Sequence, residues 1–163
     1  MHIAEMRLHP IAIADPPIRS SYGLHAPFAL RTIVELETDD GIVGIAETYG
    51  GDGPLAALEE ARPHVTGADP FQLTGLLAKI AAPASASGDR SQTYLVPGEN
   101  PLDQSLRTYA ALEIAALDII GKAIGKPVCD VIGGRARDAV PFSAYLFYKH
   151  SGGGGVGDDR RAD

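Results

Sequence analysis

The stretch from Ser105 to Tyr148 constrains the fold of this chain most strongly. It predicts a long helix, a Gly-Lys-Pro break, a short helical turn, a Gly-Gly stop, and an apolar strand over residues 139–148. A strand this apolar needs neighbours on both of its faces. The fifteen residues that follow it include the glycines 152–155 and supply no further element. The pattern therefore predicts the front portion of a larger protein, cut where a second domain begins.

Composition limits the class of protein. Of the 163 residues, 45% are hydrophobic, which is enough for a packed core, and the net charge is −7. This charge argues against a nucleic-acid surface, because phosphate binding needs clustered Lys and Arg. The single cysteine, Cys129, excludes an internal disulfide and fits a reducing compartment. With no signal peptide and no membrane-spanning run in the sequence, we expect a cytoplasmic protein and no membrane partner.

The first fifty residues have the pattern of β-structure. Residues 2–14 read as an opening strand, and residues 15–28 as a loop rich in Pro, Ser and Gly. Residues 30–38 alternate well, and residues 42–49 form the returning strand. Between them, Asp39-Asp40-Gly41 is a hairpin signal, because Gly tolerates positive φ. We predict a three-stranded antiparallel meander.

Helical patterns follow the meander. Residues 55–65 predict one helix, which Pro63 should end or kink. Asp69 and Pro70 fit the N-cap and first position of a second helix that runs to about Ile80. Residues 82–101 form a long loop, and a loop of that length is often functional.

The longest helix is predicted over residues 102–124, and the fold class is α+β, with the helical bundle packed on the meander. The predicted apolar face of this helix is made of Leu106, Ala110, Leu117, Ile120 and Ile124.

Some polar residues read as structural. Glu113 falls inside the apolar stripe of the long helix and needs a partner, for which Arg31 is a candidate, so Glu113→Ala should destabilise folding. Asp39, Asp40 and Glu47 resemble a metal cluster only in their composition, since the two aspartates fit turn chemistry. Cys129 reads as a small core residue.

Several segments, taken in order, resemble the N-terminal capping domain of the enolase superfamily. They are residues 31–35 (RTIVE), 40–47 (DGIVGIAE), 112–122 (LEIAALDIIGK) and 125–134 (GKPVCDVIGG). Three more segments are similar to glucarate dehydratase and its relatives: residues 23–27 (GLHAP), 92–94 (QTY) and 144–148 (AYLFY). The resemblance covers nearly all of residues 1–150.

The resemblance implies a two-domain enzyme. Residues 1–134 would be the capping domain, and residues 135–163 the start of a TIM-type barrel, with residues 140–148 as its first strand. The family removes a proton next to a carboxylate with Lys and His bases, while Mg²⁺ stabilises the enediolate. Glucarate dehydratase relatives then lose water to give a keto-deoxy-sugar diacid. A homo-oligomer acting on a glucarate-like acid sugar is implied.

The family's metal-binding carboxylates, its Lys-x-Lys motif and its His-Asp pair lie on later barrel strands and have no counterpart in this sequence. We therefore expect no catalytic residue and no metal ligand in the chain, and expect the chain alone to be inactive. Two rival interpretations stay open: another activity of the same superfamily, such as an epimerase or lactonising enzyme, and a non-catalytic remnant domain that binds or scaffolds.

The resemblance also implies substrate contacts in the capping loops and the first barrel strand. His25 lies in the first long loop, Thr93 and Tyr94 lie in the second, and Tyr145 lies on the apolar strand. Imidazole and hydroxyl groups suit the hydroxyls and distal carboxylate of a sugar diacid.

Each of these residues also has a plain structural interpretation. His25 could be a surface histidine, Tyr94 could anchor its loop, and Tyr145 could pack inside the barrel. Arg90 could pair with a carboxylate, although such an arginine is more often solvated. Lys149 and His150 follow the strand end where barrel enzymes place their sites, but the glycines after them suggest solvent.

Overall fold

A computed structural model describes residues 1–14, 19–20, 23–24, 28–80 and 101–144, and the side chains of these residues apart from 19–20, 23–24 and 101–103. The strands are β1 (Ile3–Ala14), β2 (Arg19–Ser20), β3 (Gly23–Leu24), β4 (Phe28–Thr38) and β5 (Val43–Tyr49). The helices are α1 (Asp52–Val65), α2 (Leu73–Ile80), α3 (Pro101–Ile124) and α4 (Val128–Val131). The predicted α+β class is confirmed.

The main sheet is antiparallel, with the order β1-β4-β5. The predicted meander is thus confirmed, with one addition. The region predicted as a loop contains a separate two-stranded hairpin of β2 and β3, and Phe28 already belongs to β4. The turn at Asp39–Gly41 is also confirmed: Gly41 has φ 80°, and its N–H donates to the Thr38 carbonyl at 2.9 Å.

One face of the sheet packs on the helices. Thr32, Val34, Leu36 and Thr38 of β4 are buried, as the alternation predicts. Leu30 shares this face but is 49% exposed. The core therefore lies between the part of the sheet around residues 32–38 of β4 and helices α1 to α3.

The first two helices end as predicted but begin at other residues, at Asp52 and Leu73. Helix α1 continues past Pro63 to Val65, and the N–H of Thr66 still donates to the Arg62 carbonyl at 3.0 Å. The predicted end at Val65 is thus confirmed. Pro63 does not end the helix early, because a proline in the last turn removes only one main-chain bond. Asp69 is not the N-cap of α2. Its carboxylate accepts a bond from the Phe71 N–H at 3.0 Å in a local turn, and α2 begins only at Leu73.

Helix α3 is present as predicted, but of its predicted apolar face only Ile120 is buried. Leu106 and Ile124 are half exposed, whereas the buried positions are Thr108, Tyr109, Ala111, Leu112, Ala115, Ala116, Ile119, Ile120 and Gly121. The small alanines let α3 approach β5 closely. A helix that is apolar around more than one face does not reveal from periodicity alone which face is buried.

Two glycine stops follow α3. Gly125 has φ 66°, and the N–H of Lys126 donates to the Gly121 carbonyl at 2.8 Å, which is the Schellman pattern of helix ends. The next helix, α4, ends at Val131, and Gly133 and Gly134 follow it with positive φ. None of the described helices is long and apolar enough to cross a membrane.

The described part of the predicted apolar strand, residues 139–144, is not a strand. Val140 is 65% and Phe142 92% exposed, and no described strand lies beside them. A strand requires a hydrogen-bonded neighbour, so the strand prediction does not hold for residues 139–144 of this chain. Residues 145–148 lie outside the described residues.

Candidate functional site

Two long connecting segments of the sequence, 15–27 and 81–100, are joined to the same end of the domain. Segment 15–27 lies between Ala14 and Phe28, which are paired across β1 and β4. Helix α3 runs antiparallel to β5: Arg107 stacks on Tyr49 at 5.0 Å, and Lys122 bonds Val43. Since Tyr49 pairs with Arg31 on β4, the start of α3 and hence the end of segment 81–100 lie at this same end.

The predicted substrate-contacting residues His25, Thr93, Tyr94 and Tyr145 lie outside the described residues, as do Arg90, Lys149 and His150. Their roles therefore stay predictions. His25 belongs to segment 15–27, and Thr93 and Tyr94 belong to segment 81–100. The flanking strands and α3 place the residues that adjoin these two segments at one end of the domain.

A cluster of charged and aromatic side chains occupies this end. The Arg31 Nε lies 2.9 Å from the Glu47 carboxylate, and an Arg31 Nη donates to the Leu30 carbonyl at 3.0 Å. The Tyr49 ring is contacted by the guanidiniums of Arg31 at 5.4 Å and Arg107 at 5.0 Å. Sequence reasoning missed this cluster, although the alternation of β4 and β5 placed its strand residues on one face.

Glu113 has a structural partner, but it is not Arg31. Its carboxylate accepts a hydrogen bond from the Tyr109 hydroxyl at 2.9 Å, and the hydroxyl oxygen also lies 3.3 Å from the Leu73 carbonyl. Arg31 is on the opposite face of the sheet and pairs with Glu47. The predicted partner was wrong because Tyr109, one helical turn before Glu113, satisfies the carboxylate locally. That Glu113→Ala destabilises folding stays a prediction.

Tyr109 should ionise unusually late. Burial, and then the hydrogen bond to Glu113, raise the pKa of Tyr109 from 10.0 to about 12. The unfolded chain loses this proton first, so this group's contribution to stability is complete below pH 10 and falls as the pH rises towards 12. A spectrophotometric titration of tyrosinate should show a component near pH 12 that disappears in Tyr109→Phe. Persistence of that component in the variant would contradict the assignment.

The outer face of the sheet carries an ionic network around Arg7. Its guanidinium donates to Glu35 at 2.9 Å and to Glu37 at 2.6 Å, and it also contacts Glu5. The hydrogen bond from Arg7 lowers the pKa of Glu35, and the carboxylates raise the pKa of Arg7. These carboxylates are committed to pairing on the sheet surface, which indicates a structural role.

The described residues do not form a metal site. No group of three His, Cys, Asp or Glu side chains is arranged to hold an ion within the described ranges. Asp39 accepts a bond from the His2 main-chain N–H at 2.8 Å, and Glu47 is paired with Arg31. The described part of the chain therefore does not fit Mg²⁺.

Cys129 is not a core residue, which corrects its predicted role. It is partly exposed on α4, a short helix without buried residues, and its Sγ lies 3.8 Å from the Asp130 carboxylate. Because none of the four residues of α4 is buried, α4 adds nothing to the core, and the Cys129 side chain stays partly exposed.

An open cleft of about 470 Å³ separates α1 from the facing ends of α2 and α3. Its polar lining includes Glu60, His64, Lys79 and Gln104. Glu60, His64 and Lys79 are exposed at its rim, which is typical of a solvated surface.

Comparison with known proteins gives a consistent family. The chain is 40% identical to a probable glucarate dehydratase of Streptomyces coelicolor over 90% of the chain and 35% of that protein. It is 31% identical to a D-galactarolactone cycloisomerase of Agrobacterium fabrum over 85% of the chain and 32% of that protein. The chain thus spans about a third of the length of these curated relatives.

Solved structures share the fold. A crystal structure of an enolase from Thermobispora bispora with magnesium and formate matches 98% of this chain and 38% of its own, with 43% identity and a TM-score of 0.85. An enolase from Pseudomonas fluorescens with bound magnesium, potassium and tartrate matches 92% of this chain and 36% of its own, with 37% identity and a TM-score of 0.80.

Most of the chain also matches one known protein family. Residues 5–133 match the family "Mandelate racemase / muconate lactonizing enzyme, N-terminal domain". The chain therefore belongs to this family of the enolase superfamily, and its described part has the fold of the N-terminal capping domain.

Proposed function

We propose that this chain is the capping part of an acid-sugar dehydratase of the glucarate dehydratase type. The observation that carries the proposal is the 40% identity to a probable glucarate dehydratase over 90% of the chain. The proposed reaction is abstraction of the proton next to a carboxylate, followed by loss of water from the adjacent carbon, which is a hydro-lyase reaction.

The nearest alternative is another activity of the superfamily. A cycloisomerase and an N-succinyl-Arg/Lys racemase are also similar to this chain, at 31% and 29% identity over 85% of its length. We favour dehydration because the glucarate dehydratase relative is more similar over a longer stretch, and because residues 23–27 and 144–148 resemble dehydratases.

The proposed task of this chain is to select the substrate and exclude water from it. Segments 15–27 and 81–100 are anchored at one end of the domain, where they could close over a barrel together. His25, Thr93, Tyr94 and Tyr145 are the proposed contacts to the hydroxyls and distal carboxylate. Mg²⁺ would be held by a barrel domain, since the described residues offer no metal cluster, and would stabilise negative charge next to the carboxylate when bound.

The proposal can be tested with a chimera. Residues 1–150 of this chain replace the matching residues of the Streptomyces relative, and the purified protein is incubated with Mg²⁺ and D-glucarate. We expect formation of the keto-deoxy diacid, detected by its 2-keto acid group, and loss of activity in EDTA that is restored by Mg²⁺. The parent relative serves as the positive control, and D-xylonate and D-galactarolactone are tested in parallel.

The chimera must be shown to be folded before its activity is interpreted. A cooperative thermal transition with the parent's circular dichroism spectrum satisfies this condition. The bases and metal ligands of the chimera come from the relative's barrel, so its activity reports on substrate selection by this chain. A folded chimera that leaves D-glucarate intact but accepts D-xylonate would contradict selection of a glucarate-like substrate. A folded chimera without any activity would contradict the proposed role of this chain in closing over the substrate.

A further inference from the structure

The first turns of α3 lie outside the hydrophobic core. No residue from Gln104 to Arg107 is buried, whereas the buried residues among the described side chains of this helix begin at Thr108. The open cleft separates this part of α3 from α1, since its lining includes both Ala57 of α1 and Gln104 of α3. Hydrophobic packing therefore does not fix the start of α3, and a contact of another kind has to hold it.

Tyr49 offers such a contact at the end of the sheet. It lies opposite Arg31 in the pairing of β4 with β5, and the Arg31 guanidinium lies 5.4 Å from the centre of the Tyr49 ring. That guanidinium is itself oriented by the Glu47 carboxylate at 2.9 Å and by the Leu30 carbonyl at 3.0 Å. The ring is therefore held by the neighbouring strand, although Tyr49 is 52% exposed.

Arg107 joins α3 to this ring. Its guanidinium lies 5.0 Å from the centre of the Tyr49 ring, a distance at which a cation is attracted to the face of an aromatic ring. The planar guanidinium of arginine stacks well on such a ring. Among the described side chains, Arg107 takes part in no ion pair, so the contact seen to orient it is the stack on Tyr49.

We propose that Arg107 is a positioning residue of this domain. Stacked on Tyr49, its guanidinium fixes the first turns of α3 against the end of the sheet to which segments 15–27 and 81–100 are joined. The inference rests on the proposed function, because these two segments carry the proposed substrate contacts. The stack lies at the surface and away from the core, so its loss should leave the fold intact.

The stack should act on substrate binding and not on the chemical step. The bases and metal ligands of the chimera come from the relative's barrel, so the chemical step does not depend on Arg107. A displaced start of α3 instead weakens contacts that are equal in the ground state and the transition state, which raises KM and leaves kcat unchanged. A cation–π contact at a partly exposed site corresponds to a change of about three- to fivefold.

The test compares variants of the chimera that contains residues 1–150, with D-glucarate as the substrate. Tyr49→Leu removes the ring and Arg107→Gln removes the charge, and each should raise KM about three- to fivefold while kcat stays within about twofold. Tyr49→Phe keeps the ring and should keep the parent KM. Lys126→Gln removes a charge from an exposed position after the other end of α3, and this matched control should also keep the parent KM.

A double variant shows whether the two residues act through one contact. Tyr49→Leu combined with Arg107→Gln should raise KM no further than either change alone, because the second change removes a contact that is already lost. Amide hydrogen exchange of the 163-residue chain gives a readout that needs no substrate. The Leu106 and Thr108 amides should exchange at least about threefold faster in Tyr49→Leu than in Tyr49→Phe, whereas the buried Ile119 should exchange equally in both.

Several results would overturn the proposal. They are a parent KM in Tyr49→Leu, changes in KM that multiply in the double variant, a fall in kcat at unchanged KM, and equal exchange of the Leu106 amide in Tyr49→Leu and Tyr49→Phe. A thermal midpoint of Arg107→Gln more than about 4 °C below that of the parent would overturn it too, since the role would then be structural. An unsubstituted chimera without activity would contradict the proposed function alone, and the exchange measurement would then decide the positioning role.

Discussion

Replacing Leu112 by alanine should lower the free energy of unfolding by about 3 kcal/mol. Leu112 is fully buried on the side of α3 that faces the sheet, next to Ala111, Ala115 and Ala116. Removal of its side chain leaves a cavity that the surrounding sheet and helix close only in part. Chemical denaturation followed by circular dichroism measures the change.

The matched control is Leu106→Ala in the same helix. Leu106 is 44% exposed, and its replacement removes the same atoms as Leu112→Ala. The free energy of unfolding should therefore fall by less than about 1 kcal/mol. If Leu106→Ala destabilised the chain as much as Leu112→Ala, then the face that periodicity indicated would be the packed one, and the observed packing of α3 would be wrong.

Replacing Gly44 by valine should be similarly damaging, with a loss of about 3 kcal/mol. A Cβ at Gly44 would lie 2.1 Å from the Ala115 carbonyl oxygen and 2.7 Å from Cγ1 of Ile119. One of these atoms belongs to the helix backbone, so α3 as a whole must move away from β5. The hydrogen bond from the Ile45 main-chain N–H to the Asp118 carboxylate should then weaken as well.

Gly53→Ala is the control for this substitution. A Cβ at Gly53 meets nothing within 4 Å, and the residue lies in α1, where alanine is a better helix former. We expect unchanged or slightly higher stability, measured by the same denaturation. A thermal midpoint for Gly44→Val equal to that of wild type would show that α3 does not approach β5 as closely as described.

Much of the fold could be predicted because local chemistry decided it. The alternation of residues 30–38 and the Asp-Asp-Gly turn identify a hairpin, because both signals depend on a few neighbouring residues. The Gly-Lys-Pro break ends α3 for a local reason as well, since Gly125 adopts a conformation that other residues avoid.

Features that depend on tertiary contacts could not be predicted. The buried face of α3 follows from the close approach of Ala115 to Gly44, which are far apart in sequence. The partner predicted for Glu113 was wrong because several groups could satisfy a partly buried carboxylate, and only the packing of Tyr109 decides between them. Residues 139–144 carry a strand pattern, but a strand also needs a neighbour.

The candidate substrate contacts were identified from the resemblance to a known family and not from the periodicity of the sequence. His25, Thr93 and Tyr94 lie in segments whose composition only predicts loops, and nothing in the pattern of polar residues separates them from ordinary loop residues. The structure adds that these segments are anchored at one end of the domain, beside the cluster of Arg31, Tyr49 and Arg107.

The most direct measurement is kcat/KM for D-glucarate of the chimera with and without His25→Ala, together with His64→Ala as a control on the exposed surface of α1. We predict that the chimera is a Mg²⁺-dependent dehydratase. His25→Ala should lower its kcat/KM by about 100-fold, roughly 3 kcal/mol, and His64→Ala should leave kcat/KM unchanged. A folded chimera in which His25→Ala has the kinetics of the unsubstituted protein would contradict the proposed contact between this capping domain and the substrate.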